Sequence, residues 1–378
     1  MLYIYLLIWL SLSERFLNIS VGSFQFGLGD ILLLLAPLVL VFQNYKMSRW
    51  SFVAVILTFF LLTQVTIYND FIGVNATITI PLKLVIAGLL YQELKKLRAV
   101  TLWRKVNFFS LILLIIMICF FSGRGFLQQE LFNRNELISY LLAFFAFHVC
   151  LIQKCRISDK KIILIHILLF IIFSMTVILG ESRQGILVLI IIFLCYLIQN
   201  LKWKNILKIT ILSCMIIVPT TISITAKFSD EYNQNRLKTI QSFEPQTQAD
   251  NFRLLNALYV LNNFQSAIFF GHGNNSFVKD GPFKKVVHNA YLSTIYEFGI
   301  VGLSFLIFCM YLIIRPFAIS LRKRNQLPLR LKLPATFLVG ISVQALFIEV
   351  LAKPPIFIIL GCAMYLFHCQ LKFLKNRL

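Results

Sequence analysis

The chain has 378 residues, of which 59% are hydrophobic and only 13% charged, with a formal net charge of +21 and a mean hydropathy of +0.82. A soluble chain of this length carries far more charge. The composition excludes an ordinary soluble enzyme, and repeated apolar runs of about 18–22 residues predict an all-α polytopic membrane protein.

About twelve transmembrane helices are predicted, at 2–20, 27–43, 51–68, 71–91, 106–122, 137–153, 162–180, 184–200, 205–226, 289–314, 333–351 and 355–372. Met1–Leu12 is apolar but lacks a basic leader region and a small-residue cleavage site, so it reads as the first span. Connections after even-numbered spans are basic: Lys95, Lys96 and Arg98 after the fourth, Lys154, Arg156, Lys160 and Lys161 after the sixth, Arg322, Lys323 and Arg324 after the tenth. The short odd-numbered connections carry few basic residues. By the positive-inside rule both termini are cytoplasmic. The excess charge is then a topology signal with a weaker attraction for membrane lipid headgroups, and no nucleic-acid partner is expected. Eight cysteines lie within spans or at their basic edges, which gives neither a disulfide framework nor a CxxC metal pair.

Three regions follow: 1–226 with spans one to nine, a long outer loop at 227–288, and 289–378 with spans ten to twelve and a cytoplasmic tail. A loop of this length is more often functional than a mere connector. Its middle, Asp250–Phe270, predicts an amphipathic helix, capped by Asp250 or Asn251 and ended by Gly271, that lies on the membrane surface or on the bundle. Arg253, Asn256 and Asn263 share one side of it at helical spacing.

The candidate groups cluster where this loop meets the tenth span. His288 precedes Asn289, and two readings stand: a polar pair at a helix start with Asn289 as cap, or a histidine able to accept a proton near pH 7. Arg183, in the turn Glu181-Ser182-Arg183-Gln184-Gly185, either snorkels to the interface or grips a phosphate with its planar fork. Arg253 and Arg236 are either solvated charges or further phosphate ligands. Lys83, after Pro81 inside the fourth span, and Glu349 inside the eleventh are ionisable groups at membrane depth, where such groups usually face a partner or a cavity. Tyr291 is one of several aromatics able to stack on a sugar or fill core. There is no Walker loop, HExxH, Rossmann fingerprint, GxSxG or DxD pair, so neither a bound metal nor a cofactor is expected.

Taken in order, Ser182-Arg183-Gln184-Gly185, Arg253, Gly271-His272-Gly273-Asn274-Asn275-Ser276-Phe277, His288-Asn289-Ala290-Tyr291-Leu292 and Glu297-Phe298-Gly299-Ile300-Val301-Gly302-Leu303 resemble the O-antigen ligase/polymerase superfamily of bacterial envelope proteins. The motif-bearing part covers about 165–315. The resemblance implies a GT-C-like helical fold in the bacterial inner membrane, with its active face periplasmic. It also implies metal-independent, inverting glycosyl transfer from an undecaprenyl-pyrophosphate-linked donor to a glycan acceptor. Carried over to matching positions, His288 is the base that takes the acceptor proton, and Arg183 and Arg253 hold the leaving pyrophosphate. Arg236 matches more loosely, and His272 receives no catalytic role. Within the family a polymerase of lipid-linked repeat units is favoured over a ligase that attaches the chain to lipid A–core, and a chain-length regulator is a plausible partner. A transporter is the reading from another class, but the long loop between spans nine and ten breaks the symmetry of two six-span halves.

Overall fold

The computed structural model describes residues 18–21, 24–27, 55–61, 63, 74–97, 134–153, 164, 170–171, 174, 183–199, 249–273, 276–281, 289–344 and 354–376. The described elements are strands β1 (Asn18–Val21) and β2 (Phe24–Gly27) and helices α1 (Val74–Lys96), α2 (Arg134–Ile152), α3 (Arg183–Gln199), α4 (Ala249–Asn263), α5 (Ser276–Asp280), α6 (Ala290–Arg322), α7 (Leu329–Gln344) and α8 (Pro354–Lys375). A single 3-10 turn, Phe264–Ala267, follows α4.

Helices occupy the ranges expected at 71–91, 137–153, 184–200, 333–351 and 355–372, with ends shifted by a few residues or, for 333–351, described only as far as 344. The spans expected at 106–122 and 205–226 lie outside the described residues, and those at 51–68 and 162–180 are described only in part. The first two expected spans, 2–20 and 27–43, lie outside the described residues except for 18–20 and 27. With 21 and 24–26 of the connection between them, these form an antiparallel hairpin that pairs Ile19 with Phe26, Ser20 with Gln25 and Val21 with Phe24. Apolar and polar residues alternate here with a period of two, which suits a strand and not a helix.

Two described helices, Ala290–Arg322 and Ile356–Lys375, are long and apolar enough to cross a membrane. α8 packs on α1, α2, α6 and α7, while α7 packs on α2, α3 and α6. Their shared core is apolar: Leu84, Leu90, Phe145, Phe147, Ile313 and Ile359 are all fully buried. Phe337 of α7 stacks on Phe145 of α2 at a ring-centroid distance of 6.1 Å.

Polar side chains bond backbone carbonyls around this core, one of them a carbonyl that proline leaves open. Pro334 in α7 has no N–H, so the carbonyl of Arg330 loses its helical partner. The Gln153 side-chain amide donates to that carbonyl instead. Gln370 of α8 donates to the carbonyls of Pro316 (3.1 Å) and Leu331 (3.0 Å), and so ties α6, α7 and α8 together. An amide without such a partner would cost on the order of 1–3 kcal/mol here.

Candidate active site at the α4–α6 junction

The tenth expected span, 289–314, is not one uninterrupted helix. α6 breaks at Gly299, whose φ of 64° and ψ of −162° belong to a region open essentially to glycine alone. In an unbroken helix the amides of Ile300 and Val301 would bond to the carbonyls of Tyr296 and Glu297. Here residues 268–273 are inserted into that ladder. The Tyr296 and Glu297 carbonyls accept from His272 N (2.9 Å) and Gly273 N (3.0 Å), and Ile300 and Val301 donate to Ile268 O (2.8 Å) and Phe269 O (3.4 Å). Four bonds between segments replace two within the helix, so the two amides and two carbonyls freed by the break are all paired.

The insertion divides α6 into a short helix, 290–298, and a longer one, 300–322, which continues past the expected end at 314. At about 1.5 Å per residue the longer piece alone reaches the thickness of a bilayer core.

Asn289 starts the short helix. Its backbone is extended, and its side chain accepts from Tyr291 N (2.9 Å) and Leu292 N (3.1 Å), filling two of the four open amides. His288, one residue earlier, lies outside the described residues, as does Arg236. For Asn289 the structure bears out the capping reading, and Tyr291 is half-buried against the main core.

α4 ends at Asn263, earlier than the expected Phe270, for a local reason. The Asn263 side chain donates to Tyr259 O (2.8 Å) and Ser266 Oγ donates to Asn263 O (2.7 Å), which supplies helix-end carbonyls from side chains. A 3-10 turn follows, and Gly271, with a φ of 71° and its amide on Ala267 O, closes the whole run as expected. Asp250 and Asn251 fall inside the first turn of α4, not at its cap.

One face of α4 is buried. Asn256 and Val260 are buried and Tyr259 is half-buried, and Val260 joins Phe277 of α5 and Tyr296 of α6 in a small core of its own. The rings interlock: Tyr259 lies 5.8 Å from Phe277, and Phe277 lies 5.4 Å from Tyr296 in an edge-to-face contact. Arg253 lies in the second turn of α4. Arg183 is the first residue of α3.

His272 stacks on Tyr296, with ring centroids 4.3 Å apart and planes 14° from parallel. Its Nε2 lies 2.9 Å from Ser266 Oγ. Its Nδ1 lies 3.2 Å from the Tyr296 carbonyl oxygen, so the ring bridges Ser266 and the short helix, with the tautomer deciding which nitrogen donates. Such a geometry braces the inserted segment against the short helix.

The buried polar atoms Asn256 Oδ1 and Ser276 Oγ have no hydrogen-bond partner among the described residues. Glu297, immediately before the break, is buried as well. Sequence reading assigned no role to Asn256, Ser276 or Glu297, and only their position among the glycines hinted at one. Lys83 is buried in α1, whose main packing partner is α8 and not the junction, and Glu349 lies outside the described residues. Among the described residues no group of three His, Cys, Asp or Glu side chains is placed to hold a metal ion.

No curated protein matches the chain significantly. A family model described as O-antigen ligase matches residues 168–307, which hold α3, α4, α5, the inserted segment and the break at Gly299. Over that segment the chain is similar to the O-antigen ligase family, in keeping with the resemblance carried by its motifs.

Proposed function

We propose that the protein is a polymerase of lipid-linked oligosaccharide repeat units, acting at the periplasmic face of the inner membrane with both termini cytoplasmic. It transfers glycan from an undecaprenyl-pyrophosphate-linked donor to a sugar hydroxyl of an acceptor. The observation that supports this most is the packing of α4, the helix that carries Arg253, on the short helix that begins two residues after His288.

In this reading His288 takes the proton from the acceptor hydroxyl as its oxygen attacks the anomeric carbon. The bond from that carbon to the pyrophosphate oxygen breaks, and undecaprenyl pyrophosphate leaves with its negative charge increased. General-base help of this kind is typically worth about 10²–10⁴-fold in rate. Arg183 and Arg253 hold the pyrophosphate and favour the transition state more than the ground state, because the charge grows as the bond breaks. Attack from the face opposite the leaving group inverts the anomeric centre, and the arginines supply the positive charge that a metal would otherwise provide. Arg236 is a further phosphate ligand, Asn289 and Tyr291 contact the sugars, and Lys83 holds the lipid-linked donor at membrane depth.

A ligase that transfers the chain to lipid A–core is the second reading, favoured by the description of the matched family. Complementation separates the two. In cells lacking their native polymerase, the wild-type chain should restore a ladder of polymer lengths. His288→Ala and Arg253→Ala should leave single repeat units at equal protein abundance. Normal ladders from both variants would refute the mechanism. Rescue of ligase-deficient but not polymerase-deficient cells would replace the polymerase with the ligase.

A further inference from the structure

The face of α4 opposite its buried side is apolar and uncovered. Leu255, Leu258 and Leu261 are 48%, 44% and 53% exposed, although they sit beside the fully buried Val260. The chain then turns through Ile268, Phe269 and Phe270, where Phe269 is 65% exposed. Six large apolar side chains within sixteen residues form a patch, and a patch of this kind marks a protein or membrane contact.

The backbone connects this patch to the flank of the spanning helix. Ile300 and Val301, both exposed, donate their amides to the carbonyls of Ile268 and Phe269. From Ile300 the exposed apolar strip continues along the helix through Ile307, Phe308 and Tyr311. That strip belongs to one of the helices long and apolar enough to cross a membrane, and an exposed apolar strip on such a helix suits contact with lipid hydrocarbon. The patch on α4 prolongs the same surface without a polar interruption at the 268–301 contact.

We infer that α4 and the 268–270 turn lie in the bilayer surface as an interfacial anchor, with Leu255, Leu258, Leu261 and Phe269 among the acyl chains of the adjoining leaflet and the opposite face of α4 against the junction. An interfacial helix with one apolar face binds lipid in this way, seated about 5–10 Å into the headgroup boundary. The rigid clasp at Gly299 then fixes the depth of the junction relative to the membrane. This assignment stands apart from the transferase reading, since it rests on exposure and continuity alone.

Fluorescence from single tryptophans tests it on the full-length protein reconstituted in phosphatidylcholine nanodiscs. The four native tryptophans, Trp9, Trp50, Trp103 and Trp203, are first replaced by phenylalanine. Leu258→Trp and Phe269→Trp should each lose most of their emission when the lipid carries bromine on its acyl chains, and should resist aqueous acrylamide. Lys279→Trp, at an exposed polar position of α5, should behave in the opposite way. Quenching of positions 258 and 269 by acrylamide but not by bromolipid would overturn the anchor, since the face would be in water. Protection from both quenchers would overturn it too, since a second copy or another protein would cover the face. The two positions on separate elements keep the result decisive if one substitution disturbs folding.

Discussion

Gly299→Ala is a direct probe of the clasp between residues 268–273 and the broken helix. A Cβ at this position would lie 2.4 Å from the Phe269 carbonyl oxygen, 2.5 Å from its carbon and 2.6 Å from the Gly271 amide nitrogen. All three are backbone atoms of the inserted segment, so no side chain can swing aside to make room. The φ/ψ pair at Gly299 adds strain of about 1–3 kcal/mol for a residue with a side chain. This strain is borne by the closed form and relieved when the segments part, so the opened population rises roughly 5- to 150-fold. Amide hydrogen exchange read by mass spectrometry should therefore speed up in peptides covering 268–273 and 297–301, while peptides from α7 and α8 keep their protection. Unchanged exchange in both junction segments would refute the clasp.

The remaining predictions concern single side chains. Asn289→Ala should cost about 1 kcal/mol through loss of the cap to Tyr291 and Leu292, and Asn289→Asp should recover most of it, as thermal unfolding in detergent would show. Gln153→Leu leaves the Arg330 carbonyl beside Pro334 without its side-chain donor and should lower stability by about 1–3 kcal/mol in the same assay. His272→Ala removes a stack and a hydrogen bond worth about 1–2 kcal/mol together, so it should shorten but not abolish the polymer ladder, with His272→Phe nearer to wild type.

Helix positions were legible because apolar runs long enough to span a bilayer have few other uses, and α2, α3 and α8 lie within a few residues of where composition places them. The hairpin at 18–27 falls largely in the connection between two expected spans, where an alternation of only four residues a strand is too short to mark one. Asn289 was legible as a cap because the reason is local: an asparagine before an apolar run fills open amides. The break at Gly299 was not, since Tyr291–Arg322 has the hydropathy of a continuous span. Its cause is a segment some thirty residues earlier, and only glycines at 271, 273 and 299 marked the close approach. The helical spacing of α4 was legible, but which of its sides faces inward was not, and the burial of Asn256, Ser276 and Glu297 depends on three elements meeting. No local pattern reports that.

The central claim is tested most directly by the purified wild-type chain in proteoliposomes with undecaprenyl-pyrophosphate-linked repeat units as both donor and acceptor. The account predicts glycans of two or more repeats on the lipid, with one undecaprenyl pyrophosphate released per linkage formed, no requirement for ATP, and loss of both products in His288→Ala. Absence of extension by the wild-type chain, or undiminished extension by His288→Ala, would contradict it.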